Sequence, residues 1–134
     1  MGSVVEVLHV DDDPAFLDLS ETLLERENEG FRVTATTSPT EALDHLEGDS
    51  VDCLVSDYDM PRVEGIELLE TVREGHPDLP FILFTGKGSE QVAAEAISSG
   101  ATDYIQKTGK TEQYTILANR IENAVEQYRA RRQF

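Results

Sequence analysis

Three consecutive aspartates, Asp11, Asp12 and Asp13, close an apolar, β-branched run at residues 4–10, and Asp57 closes another at residues 51–56. A third apolar run, residues 80–84, ends at Thr85, and a weaker one, residues 102–106, delivers Lys107. Carboxylates brought together repel and raise one another's pKa unless a cation shares the site. A hard ion such as Mg2+ resolves that conflict and is satisfied by carboxylates, a carbonyl and waters. With phosphoryl oxygens neutralised by such an ion, the Asp57 carboxylate could attack phosphorus and become an acyl phosphate. Lys107 would offer a mobile point charge to the phosphoryl oxygens. Thr85 would donate a hydroxyl hydrogen bond to the same group. Each residue alone has a plainer reading. An aspartate after a strand is commonly a turn former or helix cap, and Asp13 is read as a cap and set aside as a ligand. A lone lysine there is usually a solvated surface group, and a lone threonine structural. Their joint occurrence at four strand ends makes the chemical case.

These residues act together only if the chain returns each of them to one edge. In an open parallel sheet, functional groups gather beyond the C-terminal ends of the strands. The elements required are legible. Residues 4–10 read as a central strand. Pro14 suits the first turn of a helix capped by Asp13, with Phe16, Leu19, Leu23 and Leu24 as its stripe through about residue 29, and Gly30 as its stop. Residues 31–36 form a second strand candidate, and Ser38 and Pro39 open a helix that Gly48 ends. After the strand at 51–56, a loop through Pro61 and Gly65 leads to a helix carrying Ile66, Leu68, Leu69 and Val72. After the strand at 80–84, Ser89 caps a helix over residues 90–98 that buries Val92, Ala96 and Ala93. Residues 102–106 make the fifth strand, and the last helix starts near Lys110. Its stripe of Tyr114, Leu117, Ile121, Val125 and Tyr128 runs almost to Phe134, farther than one sheet needs. Alternating strands and helices with short, right-handed connections predict an α/β, doubly wound, five-stranded parallel sheet. The acidic turn after the first strand is not a dinucleotide fingerprint.

Composition narrows the function further. The chain has 134 residues, enough for one ordinary domain. Asp and Glu number 27 against 11 Lys and Arg, a formal charge of −16. So acidic a surface disfavours direct nucleic-acid binding. It also repels itself in dilute buffer and is screened by salt, which predicts adaptation to high intracellular salt. No stretch approaches the roughly twenty apolar residues of a membrane span. No basic segment followed by a long apolar run opens the chain, so neither a membrane protein nor a secreted one is expected. Cys53, the sole cysteine, is read as a buried, unreactive thiol. His9 reads as a core or near-site histidine rather than a ligand or phosphoacceptor, and His45 and His76 as surface residues.

At these residues the chain resembles the receiver domains of two-component response regulators. The matching signposts are Val10-Asp11-Asp12, Ser56-Asp57-Tyr58-Asp59-Met60-Pro61, Gly65, Thr85, Tyr104 and Lys107, and the likeness covers about residues 4–127. It implies the flavodoxin-like strand order 2-1-3-4-5. It also implies that Asp57 accepts phosphate from a histidine kinase, a phosphotransfer protein or a small phosphodonor. Asp11, Asp12, Asp57 and the Asp59 backbone carbonyl would hold Mg2+, and Lys107 would contact the phosphoryl group. Thr85 and Tyr104 would be the switch pair. Asp59 and Lys87 would flank the path of hydrolytic water. No turnover of an external substrate is implied, only self-phosphorylation and autodephosphorylation. Cytoplasmic location, a homodimer through the fourth and fifth helices, and a downstream sensory, kinase or output domain follow from the same likeness. The receiver domain is placed at residues 1–134, with 128–134 as a possible start of a linker.

Two positions depart from the family pattern. Lys107 is followed by Thr108 and Gly109 where a proline is usual, so a cis bond is disfavoured there and the loop should differ. Gly86 follows Thr85 where alanine is common, which loosens that loop. The acidic composition and the segment from Lys107 to Tyr114 resemble haloarchaeal receiver modules. Two other functions compete. Asp57-Tyr58-Asp59 superficially matches the nucleophile motif of haloacid-dehalogenase-type phosphohydrolases, but here the acidic pair precedes it and no sizeable substrate cap is present. A phosphorylation-independent interaction module would keep the same surface and ignore phosphodonors.

Overall fold

Val7, Leu8 and Val10 are all but inaccessible because the strand that carries them has a neighbour on each side and helices on both faces. The computed structural model describes residues 4–60, 64–86 and 88–132. Their elements run β1 (Val5–Val10), α1 (Pro14–Glu27), β2 (Phe31–Thr36), α2 (Pro39–Gly48), β3 (Cys53–Ser56), α3 (Gly65–Gly75), β4 (Phe81–Thr85), α4 (Glu90–Ser98), β5 (Asp103–Gln106) and α5 (Glu112–Arg132). The strands pair in parallel, as the alternating pattern predicts, and in the order β2-β1-β3-β4-β5 that the resemblance implies. Successive side chains in a strand point to opposite faces, so the sheet separates two cores. Val7, Val55, Ile82 and Phe84 pack beneath α1 and α5 with Leu24, Leu117 and Ile121. Leu8, Leu54, Phe81 and Leu83 pack beneath α2, α3 and α4 with Leu46, Leu69 and Ala96. Truncating one of these fully buried leucines, such as Leu117, would cost about 2–5 kcal/mol.

Local chemistry starts the helices where expected. The Asp13 carboxylate accepts from the Ala15 and Phe16 backbone N–H groups at 3.1 and 3.2 Å, and Pro14 sits where no intrahelical donor is needed. Ser38 accepts from Glu41 N at 3.2 Å, and Ser89 from Val92 N at 3.1 Å. The ends differ from the expectation. α1 stops at Glu27 because Asn28 caps it and turns the chain, accepting from Gly30 N at 2.8 Å, so Gly30 lies beyond the stop. Gly48 is the last residue of α2, and Asp49 is its cap. On α4, Ala96 is buried, whereas Val92 and Ala93 are half-buried because that helix lies shallowly on the sheet.

The long last helix is used by its own domain. Tyr114, Leu117, Ile121 and Val125 are buried, and Tyr128 packs against the opposite core from theirs. Ser20 of α1 and the Tyr114 hydroxyl lie 3.0 Å apart, fastening α1 to α5. Arg129 donates to the Val4 carbonyl at 2.7 Å and to Asp52 at 3.0 Å, bringing the helix's distal turns down onto the N-terminal edge of the sheet. The expected continuation through Phe134 lies outside the described residues. No helix among the described residues is long and apolar enough to cross a membrane.

Candidate functional site

The β1–β3 register sets Val10 beside Ser56, so the residues that follow, Asp11 and Asp57, leave the sheet side by side. The Asp57 N–H donates to the Val10 carbonyl at 3.0 Å, continuing the ladder by one bond and fixing the offset between the two acids. Ser56 Oγ donates to the Asp57 carbonyl at 2.9 Å. On the other side, β4 ends at Thr85, and Lys107 N donates to the Thr85 carbonyl at 2.8 Å. Four strand ends therefore deliver their side chains to one rim, as the sequence pattern requires.

One carboxylate oxygen from each of Asp11, Asp12 and Asp57 lies within 4.8 Å of the others. Asp11 and Asp57 are only 1% and 6% exposed, whereas Asp12 faces solvent. The Lys107 ammonium donates to Asp11 Oδ2 at 2.7 Å and stands 3.5 Å from Asp57 Oδ1. It also lies 4.2 Å from the centre of the Phe16 ring, so an aromatic face supports the cation from below. The second Asp11 oxygen, Oδ1, accepts from Asp13 N at 3.0 Å and is held by the start of the helix that Asp13 caps.

The electrostatics are unbalanced. Three carboxylates share the rim with Lys107, whose ammonium contacts two of them, Asp11 and Asp57. Burial pushes the Asp57 carboxyl above its ordinary range and Asp11 adds to that, while Lys107 and a hydrogen bond from the Thr85 side chain pull the other way. The Asp12 carboxyl is also pushed up, first by partial desolvation and then by Asp11 and Asp57. The group thus holds more negative charge than its own cation compensates. Its donor atoms are all oxygen, which suits a hard divalent ion.

Thr85 is 1% exposed with its hydroxyl on Asp57, and Tyr104 is half-buried against the α2–α4 core. Asp59 is exposed, and its carboxylate is not a member of the acidic group. Pro61 and Lys87 lie outside the described residues. His9 is fully buried beside the site, its ring 6.0 Å from Phe16 and 6.4 Å from Phe84, with neither nitrogen hydrogen-bonded. His45 and His76, expected at the surface, are half-buried, and His45 pairs with Asp49 at 2.6 Å.

Gly65 is legible in the sequence only as a signpost, and its physical role is in the structure. A Cβ there would fall on the Asp57 carbonyl oxygen and within 2.9 Å of Tyr58 Cα, while Gly65 N donates to the Tyr58 carbonyl at 2.8 Å. The absence of a side chain lets α3 press against the backbone that carries Asp57. At Gly86, by contrast, an added methyl would meet nothing within 4 Å and the backbone is not left-handed, so no local contact demands glycine. All peptide bonds among the described residues are trans, including Lys107–Thr108. Gly109 adopts φ +78°, and the loop's Thr108 and Gly109 N–H groups both point at the Gln113 side-chain oxygen.

The family described as the response regulator receiver domain matches residues 7–119. The chain is 36% identical over 118 residues to the transcriptional regulatory protein FixJ of Bradyrhizobium diazoefficiens, a stretch covering 88% of this chain and 55% of that one. It is 32% identical over 125 residues to the response regulator SaeR of Staphylococcus aureus, covering 93% and 54%. The chain therefore spans about half the length of the curated relatives it matches. Among solved structures, a CheY-like receiver domain protein from Methanospirillum hungatei JF-1 aligns with a TM-score of 0.84 at 29% identity, covering 96% of this chain and 99% of that one.

Proposed function

This chain belongs to the response regulator receiver domains, the phosphoacceptor switches of two-component signalling, and from that premise we propose that Asp57 is the residue phosphorylated. The observation that carries the proposal is the convergence of Asp57 with Asp11, Asp12 and Lys107 at one rim, with carboxylate oxygens within 4.8 Å. In this reading an Asp57 oxygen attacks phosphorus of a histidine kinase's phosphohistidine, a phosphotransfer protein or a small phosphodonor. Lys107 meets the phosphoryl oxygens as a point charge, and Thr85 donates its hydroxyl to them. Asp11, Asp12, Asp57 and the Asp59 backbone carbonyl are the proposed holders of Mg2+, whose chemistry would be to neutralise the phosphoryl oxygens.

Phosphorylation adds about 1.5 to 2 negative charges at a point that already carries uncompensated charge. Thr85 and Tyr104 are the proposed responders, since one touches Asp57 and the other lies two strand positions before the residue preceding Lys107 on β5. A partner surface on α4 and α5 is supported by the exposed Ile97 of α4 and Ile116 of α5, 55% and 48% accessible. A homodimer formed there should appear as a doubled solution mass when phosphodonor is added. An unchanged mass would rule out switched dimerisation.

The formal charge of −16 supports the acidic, haloarchaeal subtype. On that reading the melting temperature rises from 0.1 M to 3 M KCl, and a flat profile would remove the subtype. A cytoplasmic location and a downstream sensory, kinase or output domain complete the proposal; recovery of the native protein in a membrane fraction would count against the former. The deciding experiment is incubation with acetyl phosphate and Mg2+, followed by intact mass and site mapping. One phosphoryl group on Asp57 is expected, and folded protein that takes no label would end the proposal.

A further inference from the structure

Lys107 reaches its place without the proline that its family resemblance leads one to expect after it, so something else must set the direction of its side chain. The peptide that follows Lys107 is anchored by a residue six positions on. Gln113 is 5% exposed, and its Oε1 accepts from Thr108 N at 2.8 Å and, less closely, from Gly109 N at 3.4 Å. The Thr108 N–H lies in the same peptide plane as the Lys107 carbonyl carbon, so holding that N–H fixes ψ of Lys107. The other side of the residue is fixed by the bond from Lys107 N to the Thr85 carbonyl at 2.8 Å. Between these two anchors the side chain runs over Phe16 to Asp11 and Asp57.

The Gln113 backbone is itself tied to the loop, its N–H donating to the Lys110 carbonyl at 3.2 Å, while Lys110 N donates to Thr108 Oγ1 at 3.2 Å. Its neighbour Tyr114 is 2% exposed and fastened to Ser20 of α1. The carboxamide therefore stands on a rigid helix start, and the glycine at φ +78° gives the loop the turn that brings two N–H groups to one oxygen.

We propose that Gln113 is a positioning residue for phosphoryl transfer, holding the Thr108 peptide so that the Lys107 ammonium is aimed at the Asp57 rim. The inference rests on the function proposed above. In the step concerned, an Asp57 oxygen forms a bond to phosphorus of acetyl phosphate, the bond from phosphorus to the acetyl oxygen breaks, and acetate leaves with that electron pair.

The test measures the rate of acetyl phosphate labelling by intact mass in the whole chain, for Gln113→Met, Gln113→Glu and Gln113→Asn, alone and combined with Lys107→Ala. Displacing a positioned group by about 1 Å can cost up to a hundredfold, so Gln113→Met should slow labelling roughly tenfold. Gln113→Glu keeps an acceptor for both N–H groups and should stay within about threefold of wild type. Gln113→Asn, whose oxygen is drawn back by one methylene, should be slowed by about threefold and provides the reading if the Met variant does not fold. The Mg2+ concentration for half-maximal labelling should not rise, because no metal-holding group is altered. In the Lys107→Ala background, Gln113→Met should add less than about twofold, since the residue acts through the lysine. Equal slowing in both backgrounds, or a wild-type rate in Gln113→Met and Gln113→Asn, overturns the inference while leaving the proposed function intact. Wild-type protein that takes no label overturns the proposed function, and this inference with it.

Discussion

β3 carries an acid at each end, and the two ends of this four-residue strand have opposite characters. At its entry, Asp52 Oδ2 accepts from Glu6 N at 2.9 Å and from Arg129 at 3.0 Å, and the same guanidinium reaches the Val4 carbonyl. Charge there is matched, and every named bond joins parts of the fold that are distant in sequence. At its exit, Asp57 joins two further aspartates against Lys107, and burial raises its proton affinity. The entry is a completed structural joint. The exit is left short of positive charge, the condition expected where a cation and a phosphoryl group are to be received.

The contrast is broken most severely at Asp57. Asp57→Asn should abolish acetyl phosphate labelling altogether. It should also raise stability in Mg2+-free buffer, because the raised carboxyl pKa means that the ionised form burdens the fold. Intact mass after acetyl phosphate checks the first and denaturant titration with and without Mg2+ the second, and a variant less stable than wild type without the ion would show that the rim is not electrostatically frustrated. Gly65→Ala comes next. Its methyl would collide with the backbone of Asp57, so a loss of about 1–3 kcal/mol and a drop in labelling on the order of a hundredfold are expected. A normal labelling rate would mean that α3 can retreat without moving the acid.

His9 sharpens the comparison through pH. Burial lowers its pKa from 6.5 to about 4, so the unfolded chain takes up a proton that the fold refuses. The associated stability is fully present above about pH 6.5 and is lost as pH falls toward 4, an effect on the order of 3 kcal/mol. Asp12 and Asp57, with raised values, act in the opposite direction on acidification. The comparison is therefore between wild type and His9→Leu, by denaturant titration at pH 7, 5.5 and 4.5. The variant should lose less stability over that range, and parallel profiles would refute the assignment. Arg129→Ala should have the smallest effect, about 1–2 kcal/mol for a partly exposed guanidinium, with labelling unchanged. Slower labelling in that variant would show that the two ends of β3 are coupled.

What was legible in the sequence, and what was not, follows the range of the forces. The strand ends, the Asp13, Ser38 and Ser89 caps and the acidic group could be read because alternation and capping are local patterns. Helix stops were less legible. Asn28 takes the cap in place of Gly30, its backbone N–H closing the helix on the Leu24 carbonyl while its side chain accepts from Gly30 N, a choice settled by contacts that periodicity does not encode. The half-burial of Val92 reflects how high α4 rides on the sheet, which its own pattern cannot state. Gly65 and Gln113 matter through close approach to backbone, and Arg129 through a partner 77 residues away. Nothing in residue type or spacing marks such nonlocal pairings.

Cys53, the chain's one thiol, lies in β3 with no measurable accessibility, and burial pushes its pKa far up. A thiol-modifying reagent must wait for the strand to come away from its neighbours, because only an exposed thiolate reacts readily. The native chain thus carries its own stopwatch for opening. Any small molecule that favours the closed form should lengthen the wait in proportion to how tightly it is held.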